Sequence, residues 1–270
     1  MVFGVSTACF FPKVLLEDSI DILGSMRIKN IEIFFNCMSE YKMPFVKELK
    51  KRADGNGINV YSIHAFSIQF EPQLFTLQQR ARQEAEDIYK QVIEAAAELG
   101  AGVYVFHGPP NLKRAKKSKL NYEHIANTIG PLADMAKAHG VKMAWENVHW
   151  CWYAEPDFAD NLKKLPGTEN LYFTLDIKQA ALAGFVPGQY LKPTAGKLAN
   201  VHICDCAYSE ERGGVPALPF KGCIDFDSFK RELDSTGYNG GMILEVYANN
   251  YSDISELKEN YSQVRSFFLK

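Results

Sequence analysis

Eight short runs rich in Val, Ile, Phe, Tyr and Leu recur along the chain at intervals of roughly 30 to 40 residues, and amphipathic stretches fill the spaces between them. The runs are Val2 to Ala8, Asn30 to Phe35, Asn59 to Ala65, Gly102 to His107, Lys142 to Asn147, Leu171 to Asp176, Asn200 to Cys204 and Gly241 to Tyr247. Between them, Leu77, Ala81, Ile88, Val92, Ala95 and Leu99 recur at helical spacing over Thr76 to Leu99, and Gly100 supplies a stop. Gly57, Gly140 and Gly237 close other such stretches, each leading into the next run. Strands that alternate with helices pair in parallel, and eight such units predict an α/β fold, a (β/α)8 TIM barrel. No Pro/Gly/Ser-rich linker or composition break divides the chain, so residues 1–270 read as a single domain. The alternative fold is a doubly wound open sheet, but the first turn, Ser6-Thr7-Ala8-Cys9, lacks the glycines that cradle a dinucleotide. Neither G-x-x-x-x-G-K-[ST] nor G-x-S-x-G occurs, which removes P-loop and serine-hydrolase chemistry.

Charge narrows the partners. Thirty Lys and Arg against 32 Asp and Glu give a net charge of -2, no field to hold a polyanion, so no nucleic acid and no membrane surface is expected. The start, MVFGVSTACFFPK, has no basic region followed by a long apolar stretch, and no apolar run approaches the ~20 residues that span a bilayer. A soluble cytoplasmic protein is expected. The cysteines, Cys9, Cys37, Cys151, Cys204, Cys206 and Cys223, form no C-x-x-C pair and are too sparse for a disulfide scaffold. Cys204 and Cys206 share a strand face with His202, where a thiolate metal site competes with the reading of small buried thiols. Five cations between Lys113 and Lys119 form either a solvated loop or a site for phosphate or an acidic partner.

In a barrel, the C-terminal ends of the strands converge on one mouth, where such enzymes work. Here those ends carry Glu32, His64, His107, Glu146, Asp176, His202 and Glu245. Scattered solvated residues would include Ser, Asn, Lys and Thr as often. Glu146, Asp176, His202 and Glu245 fall on four consecutive strands and would crowd negative charge into one cavity, which a divalent cation offsets. Oxygen-rich ligation with a single His favours Mn2+, Mg2+ or Co2+, with Zn2+ as a further candidate.

His64 in YSIHAF, His107 in VYVFHGP, Glu146 in MAWEN, Asp176 in FTLDIKQA, H-x-x-D at His202 to Asp205, P-F-K-G-C-I-D from Pro219 and Glu245 in ILEVY together resemble the xylose isomerase-like barrel superfamily. That group holds sugar and sugar-phosphate isomerases and epimerases and the apurinic endonucleases. The resemblance implies that Glu146, Asp176, His202 and Glu245 ligate one divalent ion, Mn2+ foremost, and that Glu146 and Glu245 are the acid/base pair. Gln179 stands where the family often has His, and no D-x-H unit lies between Tyr208 and Pro219, so an endonuclease's three-metal site cannot be assembled. Lys221-Gly222-Cys223 replaces the usual G-x-G, and Arg212 is the nearest counterpart of an Arg found in some ketose epimerases.

Deprotonating a carbon beside a sugar carbonyl gives an enediolate, which serves both isomerisation and epimerisation. The run W-E-N-V-H-W-C-W gathers Trp145, Trp150 and Trp152 around Glu146; their faces suit a sugar ring or an aromatic group, or pack the barrel against its fifth helix. His149 is a second candidate base. With it, the chemistry becomes elimination from a 3-oxo glycoside, as in the superfamily's C-glycoside deglycosidases, which use a small partner subunit. Substrate contacts are expected from His64, His107, Trp150, Lys178, Gln179 and Asp205. The expected partner is a sugar or sugar derivative, with a homo-oligomer or a small subunit as further partners. A catalytically dead binding barrel is disfavoured because every proposed ligand is present.

Overall fold

The computed structural model describes residues 1–111, 120–209 and 213–270, which leaves the basic cluster at 113–119 and Arg212 outside the described residues. Eight parallel strands close into a barrel: β1 (Val2–Ser6), β2 (Asn30–Phe34), β3 (Asn59–His64), β4 (Val103–Phe106), β5 (Lys142–Glu146), β6 (Tyr172–Asp176), β7 (Leu198–Ile203) and β10 (Gly241–Leu244). Their order is β1-β10-β7-β6-β5-β4-β3-β2, with β1 pairing β10 from Val2↔Gly241 to Val5↔Leu244, which seals the sheet without an edge. Between and after the strands run α1 (Leu16–Ser25), α2 (Met43–Gly55), α3 (Gln79–Leu99), α4 (Tyr122–Ala138), α5 (Asp157–Leu162), α6 (Ile177–Leu182), α7 (Phe226–Ser235) and α8 (Ile254–Phe268).

The amphipathic pattern explains the helix layer. On α3, Ala85, Tyr89, Val92, Ile93, Ala96 and Leu99 are buried, each large side chain contributing about 1.5–3 kcal/mol relative to exposure, and Gly100 takes φ 75° to end the helix. α3 begins at Gln79 rather than Thr76, because a 3₁₀ turn at Glu71–Phe75 precedes it and the Thr76 hydroxyl accepts the Gln78 amide. The period of two explains the barrel wall. Trp145 packs on Phe106 and Phe158 among the helices, at ring distances of 5.1 and 5.0 Å, while its neighbour Glu146 turns inward.

Every barrel strand except β6 stops a residue or more short of the expected run, so His107 and Glu245 stand just beyond β4 and β10. A hairpin was not expected: β8 (Asp205–Ser209) pairs antiparallel with β9 (Gly213–Ala217) above β7. Gly213, Gly214 and Pro216 hide it from a reading by strand propensity. All six cysteines are free, and Cys204 Sγ lies 3.3 and 3.4 Å from the carbonyls of Asp205 and Ala217. Burial pushes its thiol pKa up, so it behaves as a small protonated core group. No helix among the described residues is long and apolar enough to cross a membrane.

Candidate active site

Glu146 ends β5 and Asp176 ends β6, two strands locked together by Asn147, whose amide donates to the Asp176 carbonyl (3.0 Å) and whose oxygen accepts the Asp176 amide (2.7 Å). His202 sits opposite Asp176 and Ile243 in the β7 register, and the Glu245 amide donates to the Ile203 carbonyl at 3.1 Å. His202 Nδ1 therefore lies 3.1 Å from Glu146 Oε1 and 3.2 Å from Glu245 Oε2. Ligand-type atoms of Glu146, Asp176, His202 and Glu245 all fall within 4.8 Å of one another, and all four residues are buried.

Charge inside this cavity is divided sharply. Burial would raise the pKa of Glu245, but His202 and Lys178 hold it at about 2, and the imidazoles of His107 and His202 keep Glu146 well below the carboxylate range against the same burial penalty. Burial also lifts Asp176, to about 6, although Lys178 Nζ lies 3.2 Å from its Oδ2. Burial disfavours a charged His202, yet Glu32, Glu245 and Glu146 raise its pKa well above the usual value. Two buried oxygens, Glu146 Oε2 and Asp176 Oδ2, accept no hydrogen bond. Anionic oxygens that face the His107 and Lys178 nitrogens without completing a hydrogen bond, beside one imidazole nitrogen, form a donor set that fits a hard divalent cation.

A second group shares Glu146. His107 Nε2 is 2.7 Å and His64 Nε2 3.6 Å from Glu146 Oε2, and the two Nε2 atoms are 2.8 Å apart. These three residues are also close enough to hold a cation. His64 Nδ1 donates to the Ala65 carbonyl at 2.8 Å, and His107 Nδ1 pairs with the Ser67 hydroxyl at 2.8 Å. Burial lowers both imidazoles, but the carboxylates lift His64 to about 9 while His107 stays below its usual value. One positive charge is thus concentrated on His64. Glu71, whose role the sequence did not reveal, accepts the amides of His107 (2.8 Å) and Gly108 (2.7 Å) and the Tyr104 hydroxyl. Burial pushes its pKa to about 8. Trp145 Nε1 holds the other side of this turn through the His107 carbonyl at 2.8 Å.

The remaining expected residues separate. His149 Nδ1 donates to Gln179 Oε1 at 2.6 Å, and the Gln179 amide donates to Asp176 Oδ1 at 2.9 Å. Lys178, wholly buried, pairs with Asp176 and donates to the Tyr247 hydroxyl at 3.4 Å. Of the three tryptophans, Trp145 is core and Trp152 packs on Phe75, whereas Trp150 is 39% exposed and meets His107 edge-on at 6.4 Å. Asp205 binds backbone: Oδ1 accepts the amides of Cys206 (2.7 Å) and Ile224 (3.1 Å), and Oδ2 accepts that of Gly222 (2.7 Å). Its lone pairs organise the β8 loop.

A family profile described as xylose isomerase-like TIM barrel matches residues 25–270. The chain belongs to this family. Solved structures share the shape. A D-tagatose 3-epimerase-like protein superposes with a TM-score of 0.80 at 19% identity, covering 100% of this chain and 97% of its own. D-psicose 3-epimerase from Clostridium cellulolyticum H10, crystallised with D-tagatose, gives 0.78 at 18% identity, covering 99% and 98%. The 3-keto-D-glucoside 4-epimerase of E. coli gives 0.76 at 16%, covering 98% and 99%. At these identities the likeness shows the fold of the xylose isomerase-like barrel and no more. No curated protein sequence matches the chain.

Proposed function

We propose that this chain is a divalent-metal-dependent sugar isomerase or epimerase that removes a proton from the carbon beside a sugar carbonyl. The observation that carries the reading is the convergence of Glu146, Asp176, His202 and Glu245, whose ligand-type atoms all lie within 4.8 Å of one another in a buried cavity. These four residues would hold the ion, with Mn2+ foremost and Mg2+, Co2+ or Zn2+ as alternatives. When bound, such an ion polarises the sugar carbonyl and stabilises the enediolate charge. Glu146 and Glu245 are both ionised near neutral pH, as a proton-accepting pair requires. His107 Nε2 stands 2.7 Å from Glu146 Oε2, within reach of a proton carried by that carboxylate. His64 and His107 form one polar wall for substrate hydroxyls, and Lys178 holds positive charge at the opposite wall. The structures of sugar 3- and 4-epimerases that share the fold support a sugar substrate.

A second reading rests on His149. Gln179 Oε1 accepts a hydrogen bond from His149 Nδ1, which leaves Nε2 without that partner, and exposed Trp150 follows in the chain. That arrangement suits elimination of an aglycone from a 3-oxo glycoside, with a small partner subunit in the assembly.

The test is solvent deuterium wash-in by the Mn2+-loaded protein over a panel of ketoses, ketose phosphates and 3-oxo glycosides. Exchange beside the carbonyl with the carbon skeleton intact is the expected result. Aglycone release from a 3-oxo glycoside supports the second reading. Bound metal with no exchange and no release on any substrate contradicts both.

A further inference from the structure

His202 is the one imidazole of the four-residue cluster, and its two nitrogens meet different surroundings. Nδ1 faces Glu146 and Glu245. Nε2 faces the opposite way, 3.1 Å from Oε2 of Glu32. Glu32 lies in the middle of the apolar strand NIEIF and reaches His202 across the barrel interior, where it is wholly buried. Ser62 Oγ donates to the same oxygen at 2.7 Å and Asn200 Nδ2 at 3.3 Å, while Oε1 accepts nothing. Among the described residues, His202 is the only ionisable base that pairs with it. A carboxylate placed there with two neutral donors and one imidazole is costly, and the Ser62 and Asn200 bonds alone would be met by a neutral acceptor.

The position of the ring proton decides what the cluster can do. Asn200 Nδ2 also lies 3.1 Å from His202 Nε2. Were it to donate there, the ring proton would sit on Nδ1 and block the nitrogen that faces the carboxylates. An unprotonated Nε2 would also leave two acceptors, the nitrogen and the Glu32 oxygen, in contact with no proton between them. Protonated Nε2 donates to Glu32 alongside Asn200, and a cation held between Nδ1 and the carboxylates of Glu146 and Glu245 would keep those acceptors from facing the bare Nδ1 lone pair.

We propose that Glu32 is a positioning residue for the cation site, accepting the Nε2–H of His202 so that the Nδ1 lone pair is held towards Glu146, Asp176 and Glu245. This rests on the reading of that cluster as a divalent-cation site. Carboxylate partners of this kind fix the tautomer and orientation of a metal-binding imidazole and make it a better ligand.

The experiment compares metal-depleted parent, Glu32→Gln, Glu32→Leu and Ser62→Ala by calorimetric titration with Mn2+, with circular dichroism to confirm folding. Glu32→Leu should weaken Mn2+ binding by roughly 10- to 100-fold and Glu32→Gln by less, because the amide oxygen still accepts a hydrogen bond. Ser62→Ala, which leaves the imidazole–carboxylate pair in place, should bind within about threefold of the parent. Long-range 1H–15N spectra of the 15N-histidine parent with Zn2+, a diamagnetic probe, should show His202 protonated at Nε2 and shifted by metal at Nδ1. A folded Glu32→Leu protein that binds Mn2+ like the parent overturns the proposal, as does a proton on Nδ1. Should Glu32→Leu fail to fold, the parent spectrum decides alone. A parent that binds no divalent ion overturns the metal reading itself, whereas equal binding by parent and variants overturns only the role of Glu32.

Discussion

Glu245 faces the imidazole of His202, and in the proposed function the same carboxylate carries a substrate proton. Glu245→Gln should therefore lose most of the bound metal and nearly all turnover, checked by elemental analysis beside rate measurements. Wild-type metal content and rate would contradict its assignment. His149→Ala separates the two sugar chemistries: an isomerase should lose little, whereas an eliminating lyase should lose the general-base contribution of about 10²- to 10⁴-fold in kcat with metal content intact. Glu71 gives a pH prediction. Its folded pKa of about 8 exceeds the unfolded value, so the folded protein holds this proton more tightly and loses stability as pH rises from the unfolded value towards 8. Glu71→Gln, neutral throughout, should gain on the parent between pH 5 and 8 in urea unfolding of the metal-depleted proteins; a constant difference would contradict the buried neutral acid. At this scale the clustered residues were legible because Asp, Glu and His at the ends of apolar runs stand out. Glu32 was visible as a charge inside NIEIF, but its partner lies on a distant strand, and only closure of the barrel brings His202 to it. The backbone partners of Asp205, Gly222 and Ile224, were not legible because loop conformation sets them.

The eight strands were legible because parallel strands are buried on both faces and read as continuous apolar runs. The β8–β9 hairpin was not, since it is partly exposed and built on Gly and Pro. The tryptophan-rich run shows how an element sorts residues that look equivalent in sequence. Strand alternation sends Trp145 outward and Glu146 inward, and only the turn beyond β5 brings Trp150 to the surface. The turn after β4 is the element on which His107 depends. Gly108 takes φ 72° there, and a Cβ at this position would run into the Trp145 ring. Gly108→Ala should cost about 2 to 5 kcal/mol from backbone strain and overpacking together. The same change should displace His107 and lower kcat, read by chemical denaturation and steady-state kinetics. A stability change below about 0.5 kcal/mol, the range of ordinary surface substitutions, would show that the turn relaxes freely.

Closing the barrel places Glu32, Glu146, Asp176 and Glu245 in one interior around His202 and Lys178, a surplus of acidic groups in a chain whose net charge is only -2. Burying them together is unfavourable, so a cation bound as proposed would stabilise the fold. Free Mn2+ at 100 times its dissociation constant should stabilise the fold by about 2.7 kcal/mol, and a chelator should reverse this in thermal unfolding. The most direct measurement of the central claim is anomalous diffraction from crystals of the Mn2+-loaded protein, recorded at the manganese edge. A manganese peak among Glu146, Asp176, His202 and Glu245 is the predicted result. Full manganese occupancy elsewhere, with that cluster empty, would contradict the account.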